Sequence, residues 1–240
     1  MSAKSKLPIQ WIEGSQVQGK APLQEDYLEV NAEKGIFILA DGFGGSQGKT
    51  AAKLAVQSVR KFLEQEAGDL DATLPFELRS YYSLAGNVLF NAVTYANQQL
   101  MQANKGRSWI NSGGASLVAG YLDGKLLALA NVGACSVSIK RNGKLKEIVS
   151  PKTLARQSNP FDDDEEGRLI PLMSFGTVRQ LEPEIVEVEI KPQDQLLFQS
   201  AGVTETVRNQ LIKLSSAAKI RHYFDEIDSE ANASVIWVSF

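Results

Sequence analysis

Two short acidic segments carry the clearest chemical signal in this sequence. Glu25-Asp26 opens one strand-like stretch and Asp41-Gly42 closes the next. If those strands are antiparallel neighbours, the carboxylates converge at one sheet edge. Carboxylates, a backbone carbonyl and water are the donor set of a hard cation such as Mg²⁺ or Mn²⁺. Gly42, with no Cβ, would let its backbone approach the ion. The same residues also read as ordinary turn acids, and their spacing alone does not choose. The turn Gly42-Phe43-Gly44-Gly45 lacks the lysine and serine of a P-loop and the G-x-G-x-x-G order, which argues against nucleotide binding. Cys135, on an apolar strand, reads as a buried small hydrophobe rather than a nucleophile. His222 is the only histidine. It reads as a surface residue on a helix, and its isolation excludes a His-cluster metal site.

The elements that must position these residues follow a β, α, β order. Residues 8–18 and 26–40 read as strands, the second ending in the glycine-rich turn. Ala51, Ala55, Val59, Phe62 and Leu63 form an apolar stripe on a helix over 46–66, with Lys53, Ser58, Arg60 and Lys61 facing outward. A longer helix is expected over 77–104, with Leu78, Tyr81, Ala85, Val88, Leu89, Ala92, Ala96 and Leu100 inward. Strands return at 114–122, 125–132, 135–140 and 144–149, broken by the hairpin signals Asp123-Gly124 and Asn142-Gly143. Residues 150–172 read as a loop. Val186, Val188 and Ile190 alternate with Glu187 and Glu189 in a half-exposed strand. Residues 194–199 read as its hairpin partner, turning at Pro192. Helices at 203–213 and 215–225 and a strand at 233–239 complete the chain. This pattern suggests sheets packed on each other with helices outside.

With 240 residues, 43% hydrophobic and 22% charged, the chain is expected to form one domain with an ordinary core. A net charge of −3 implies no nucleic-acid or anionic-membrane partner. One cysteine cannot form an internal disulfide. No apolar run reaches the roughly 18 residues of a membrane span, and the N-terminus lacks a signal-peptide core. The expectation is a soluble, cytoplasmic protein.

Five segments in register give the sequence a family likeness. They are Glu25-Asp26 with the Ala40-Asp41-Gly42-Phe43-Gly44-Gly45 turn, then Gly114-Ala115-Ser116, Asn131-Val132-Gly133-Ala134-Cys135, Ser200-Ala201-Gly202-Val203-Thr204, and Ala231-Asn232-Ala233-Ser234 near the end. Together the chain resembles the metal-dependent protein serine/threonine phosphatases of the PPM, or protein phosphatase 2C, type, especially their bacterial members. The resemblance implies an α+β fold: a four-layer α/β/β/α sandwich of two antiparallel sheets flanked by helices, spanning residues 1–240. It implies metal ligands at Glu25, Asp41 and the Gly42 carbonyl, with Asp26 beside them.

The departures are as informative. The family's second ion depends on aspartates whose positions hold Ala201 and Ala231, and a third ion on one replaced by Ala134. The phosphate-binding arginine is replaced by Ala21. Its neighbour Lys20 is the residue left to contact a phosphate, as a point charge without arginine's fork. Phe43 stands where the family has methionine or histidine. Two cations normally generate the water nucleophile, and alanine offers no oxygen to hold them. The expectation is a pseudophosphatase acting as a binding or regulatory module in cytosolic signalling, with Mg²⁺ or Mn²⁺ at one weakened site or none. An active but weak phosphatase and a purely structural subunit are the rivals. A protein partner is expected, basic or belonging to a kinase or phosphoprotein pathway. The run Asp162, Asp163, Asp164, Glu165, Glu166 would attract a basic one.

Overall fold

A computed structural model describes residues 7–66, 78–108, 111–158 and 167–240. Among the described residues, ten strands form two antiparallel sheets. β1 (Trp11–Val17), β10 (Ala233–Ser239), β9 (Gln195–Gln199), β6 (Ser136–Arg141) and β7 (Lys144–Val149) build the first, in that order. The second is β2 (Tyr27–Asn31), β3 (Ile36–Phe43), β4 (Gly114–Asp123), β5 (Leu126–Val132) and β8 (Glu184–Glu189).

Strand alternation explains the layers, because successive side chains point to opposite faces. Along β3, Phe37 and Leu39 enter the core between the sheets, where they meet Phe198, Ile236 and Val238. Ile36, Ile38 and Ala40 face the other way, onto α1 (Ser46–Glu66) and α2 (Leu84–Ala103). On the outer face of the first sheet, Leu197, Val235 and Trp237 pack against α4 (Glu205–Leu211) and α5 (Ala217–Glu226). The expected four-layer α/β/β/α sandwich is therefore the observed fold. Among the described residues, no helix is long and apolar enough to cross a membrane.

Local chemistry sets several boundaries. Asn142 and Gly143 both adopt positive φ, 53° and 74°, as a tight two-residue hairpin loop requires. The 26–40 stretch divides into β2 and β3, paired from Tyr27 opposite Ala40 to Asn31 opposite Ile36. The second long helix begins seven residues later than its apolar stripe implies. Ser83 caps it by accepting the Gly86 N–H, and the Ser83 N–H donates to Glu187 of β8 at 3.1 Å. Leu78 and Tyr81 precede the cap and are exposed rather than inward. Ser58, expected outward on α1, is buried, because it lies three residues after Ala55 and four before Phe62 on one helix face. A short helix, α3 (Leu154–Ser158), interrupts the 150–172 loop.

The 194–199 strand is not the hairpin partner of β8. β8 pairs with β5 in one sheet and β9 with β10 and β6 in the other. Asp194 turns the chain between sheets: it accepts the Lys191 N–H at 2.8 Å and a two-pronged contact from Arg141 at 2.8 and 2.5 Å. Alternation in sequence records which face a strand shows but not which strand it joins.

Asn97 ties α2 to the 174–178 turn. Its amide donates to the Val178 carbonyl at 2.8 Å and accepts the Gly176 N–H at 2.9 Å. Asn97→Ala is expected to cost about 1–3 kcal/mol, because both backbone groups lose their buried partner. Urea unfolding measures this directly, and an unchanged midpoint would show that water replaces the amide.

Candidate functional site

The β2–β3 pairing brings the two acidic segments together. Tyr27 lies opposite Ala40, so Asp26 at the start of one strand faces Asp41 near the end of the other. Asp26 then reaches across to the first sheet. Its Oδ2 accepts the Ser234 hydroxyl at 2.6 Å and the Ser200 hydroxyl at 3.0 Å. The Ser200 hydroxyl in turn accepts the Ser234 N–H at 3.0 Å. This buried network pins the two sheets at the edge where the acids sit.

Asp41 Oδ2 accepts the N–H of Ala201 at 3.0 Å. An Arg168 guanidinium N–H donates to the carbonyl of the same Ala201. Residue 201 therefore stands beside the Asp41 carboxyl, where it contributes a backbone N–H and a methyl group instead of an acid. Glu25 is placed through its backbone: its N–H donates to Asn232 Oδ1 at 2.7 Å, and Asn232 Nδ2 holds the carbonyls of Gln18 and Leu23 at 2.9 Å. A Cβ on Gly42 would run into the carbonyls of Gly48 and Glu25, so this turn closes only around glycine.

Burial shapes the electrostatics. It pushes the Asp26 carboxyl well above the usual carboxylate range, and the adjacent Asp41 charge pushes it further. Asp41 is pushed up to about 6, first by burial and then by Glu25, while the Ala201 N–H and the Arg168 charge oppose the rise. Burial also raises Glu25, against the N–H of Gly45. One Asp26 oxygen and one Glu25 oxygen are buried without a hydrogen-bond partner.

Orphaned carboxylate oxygens are what a cation would satisfy, yet the donor set does not fit a two-ion centre. Ala134 and Ala201 offer no carboxylate. Among the described residues, no group of three or more His, Cys, Asp or Glu side chains is placed to hold a metal. Lys20 donates to Glu230 at 2.5 Å, lies 3.9 Å from Asp228, and is exposed. Those acids are its partners here. Phe43 is 38% exposed, and its ring covers Gly114. Cys135 is fully buried in the inter-sheet core, where burial raises its thiol. His222 is on the surface, 3.5 Å from Glu226. The run Asp162–Glu166 lies outside the described residues.

Beside the acids, a cavity of about 260 Å³ is bounded by Ala134, Ser200 and Ala201 on one side and by α3 and α4 on others. Arg156, Arg168 and Arg208 line it. These arginines went unrecognised in the sequence because they lie on separate loops and short helices with no shared spacing. Ser200 and Ser234 could have been found only through the two segments that contain them.

No protein-family model matches the chain, and no curated protein matches its sequence. Solved structures do match over nearly the full length. The Mycobacterium tuberculosis serine/threonine phosphatase PstP superposes with a TM-score of 0.80 at 18% identity, covering 97% of this chain and 99% of that one. Stp1 from Staphylococcus aureus gives 0.80 at 18% identity, covering 99% and 97%. The PPM Ser-Thr phosphatase MsPP from Mycobacterium smegmatis, in complex with cacodylate, gives 0.77 at 16% identity, covering 97% and 99%. The PstP catalytic domain has also been solved in complex with two manganese ions. The chain accordingly has the fold of the PPM-type serine/threonine phosphatases.

Proposed function

We propose that the chain is a cytoplasmic pseudophosphatase: a binding module for a protein partner that keeps the phosphatase fold without its hydrolytic chemistry. One observation carries this reading. At the Asp41 carboxyl, residue 201 presents a methyl and a backbone N–H, with Arg168 as the neighbouring positive charge. A fixed guanidinium can offset charge at the acids, but it cannot lower the pKa of a bound water as a metal does. The acidic run Asp162–Glu166 adds a second element to the proposal, a field that steers basic segments of the partner.

The second reading is a slow, one-ion phosphatase, favoured by the unpartnered oxygens of Glu25 and Asp26. Glu25, Asp26, Asp41 and the Gly42 carbonyl would then hold Mg²⁺ or Mn²⁺ largely through water. Phosphate release from a phosphoserine peptide with either ion separates the two. We expect no metal-dependent turnover approaching about 1 s⁻¹, and a rate at or above that level would overturn the proposal.

A further inference from the structure

We propose that the groove between the C-terminal end of α2 and the 176–179 segment docks an extended acidic segment of the partner protein, with Lys105, Arg107 and Arg179 supplying the charge that holds it. The proposal deepens the pseudophosphatase reading and rests on it only for the existence of a partner.

One wall of the groove is a stripe of α2. Gln98, Met101, Gln102 and Lys105 recur at helical spacing on the face turned away from the core. Past Asn104, which caps the helix, Gly106 takes a φ of 81° and turns the chain, so that Lys105 and Arg107 both stay at the groove. The opposite wall is tied to the helix. Asn104 Nδ2 donates to the Gly113 carbonyl at 2.8 Å and to the Gly176 carbonyl at 3.2 Å. Together with the Asn97 bonds to Gly176 and Val178, this sets Arg179 across from α2. The space between the walls is about 680 Å³.

Three cations line this space and no acid does. Among the described residues, the exposed Lys105 and Arg179 side chains have no hydrogen bond or ion pair. Arg107 donates to the amide oxygen of Gln47, which is neutral. The carbonyls ending α2 present only about half a negative charge. A local surplus therefore stands on a chain whose total charge is −3. The neighbours of Arg107 outside the described residues, Trp109 and Ile110, carry no charge. Residues 67–77 join the chain at Glu66 and Leu78, each roughly 30 Å away along α1 or α2. The run Asp162–Glu166 lies between α3 and Gly167. There Arg156 pairs with Glu147 of β7 in the first sheet, whereas α2 packs on the outer face of the second.

Shape and charge identify the occupant. Gln98 and Arg179 also border a second groove, lined by Tyr82, Phe90 and Pro183. The two make one trough along α2, about 22 Å from Lys105 back to Phe90, the length of roughly seven extended residues. A trough open along its length suits an extended chain rather than a compact ligand. Carboxylates match arginine's fork and lysine's ammonium. Three clustered cations do not make the long basic stripe that a nucleic-acid backbone requires.

The test is fluorescence anisotropy on the full chain with three labelled probes: a Glu-rich peptide, its Gln-substituted twin, and a single-stranded oligonucleotide of equal charge. The Glu peptide should bind about tenfold or more tighter than the twin, and the double variant Lys105→Ala/Arg107→Ala should weaken it about tenfold or more. Arg179→Ala, from the opposite wall, should weaken it about threefold or more. Lys144→Ala/Lys146→Ala removes the same charge from exposed positions on β7 and should leave affinity within about twofold. Thermal melts of all variants should match the parent. Equal binding of the twin, or equal losses in the β7 and groove double variants, overturns the proposal. An oligonucleotide that binds more tightly than the peptide overturns the acidic segment as occupant. A dimer of the parent that the groove variant dissociates overturns it in favour of a second copy. Mn²⁺-dependent phosphate release from a phosphoserine peptide is followed on the same preparations. Release at about 1 s⁻¹ with groove binding intact would sink the pseudophosphatase reading and leave the groove standing. Absence of both binding and release would sink the groove alone.

Discussion

Asp41→Asn is expected to stabilise the protein at pH 8, by about 2–3 kcal/mol. Asp41 is pushed up to about 6 in the folded chain, against an ordinary carboxylate value of 3.8. A raised acid favours folding only while it is protonated. Its contribution is complete below the unfolded value and is lost as pH rises through about 6, so above pH 7 the folded state holds a charge it would rather not carry. Asparagine removes that charge. It can still accept the Ala201 N–H, and its amide can donate to Asp26, whose second oxygen has no partner. The gain should shrink toward pH 5, where Asp41 already holds its proton. Urea midpoints of both proteins at pH 5 and pH 8 give the comparison. A variant less stable than the parent at pH 8 would mean that the ionised carboxylate is held by something stronger than the Ala201 N–H and Arg168.

The acid pair was legible in sequence because its geometry is local. The β2–β3 hairpin pairs Tyr27 with Ala40, and that register sets Asp26 against Asp41. The same locality made the Asn142-Gly143 turn and the α1 stripe readable, apart from Ser58. Long-range pairing was not readable. β8 and β9 alternate like hairpin partners, yet Arg141, the last residue of β6, holds Asp194 where the chain passes from one sheet to the other. The start of α2 depends on Ser83 meeting Glu187, more than a hundred residues away. The arginine cavity is invisible for the same reason: Arg156, Arg168 and Arg208 become neighbours only when α3 and α4 fold against β6 and β9.

Hydrolysis is where the largest loss is expected. A working enzyme of ordinary speed turns over at about 1–10³ s⁻¹. A two-ion phosphatase reaches such rates because cations generate hydroxide at neutral pH and neutralise the transferring phosphoryl group. Here the positive charge beside Asp41 is Arg168, which stabilises an anion in place and generates no nucleophile. Asp26, buried and raised, binds two hydroxyls through the same oxygen and is better suited to locking the sheets than to accepting a proton from water. Metal-stimulated phosphate release should therefore fall orders of magnitude below that range. Recovery of it by Ala201→Asp alone would show that the rest of the site had stayed competent.

The central claim is that the acids of this cleft do not form a two-ion centre, and Mn²⁺ calorimetry on the purified full chain tests it most directly. The account predicts at most one weak ion per chain, in the millimolar range, abolished by Glu25→Gln. Two ions per chain bound at micromolar concentration would contradict it.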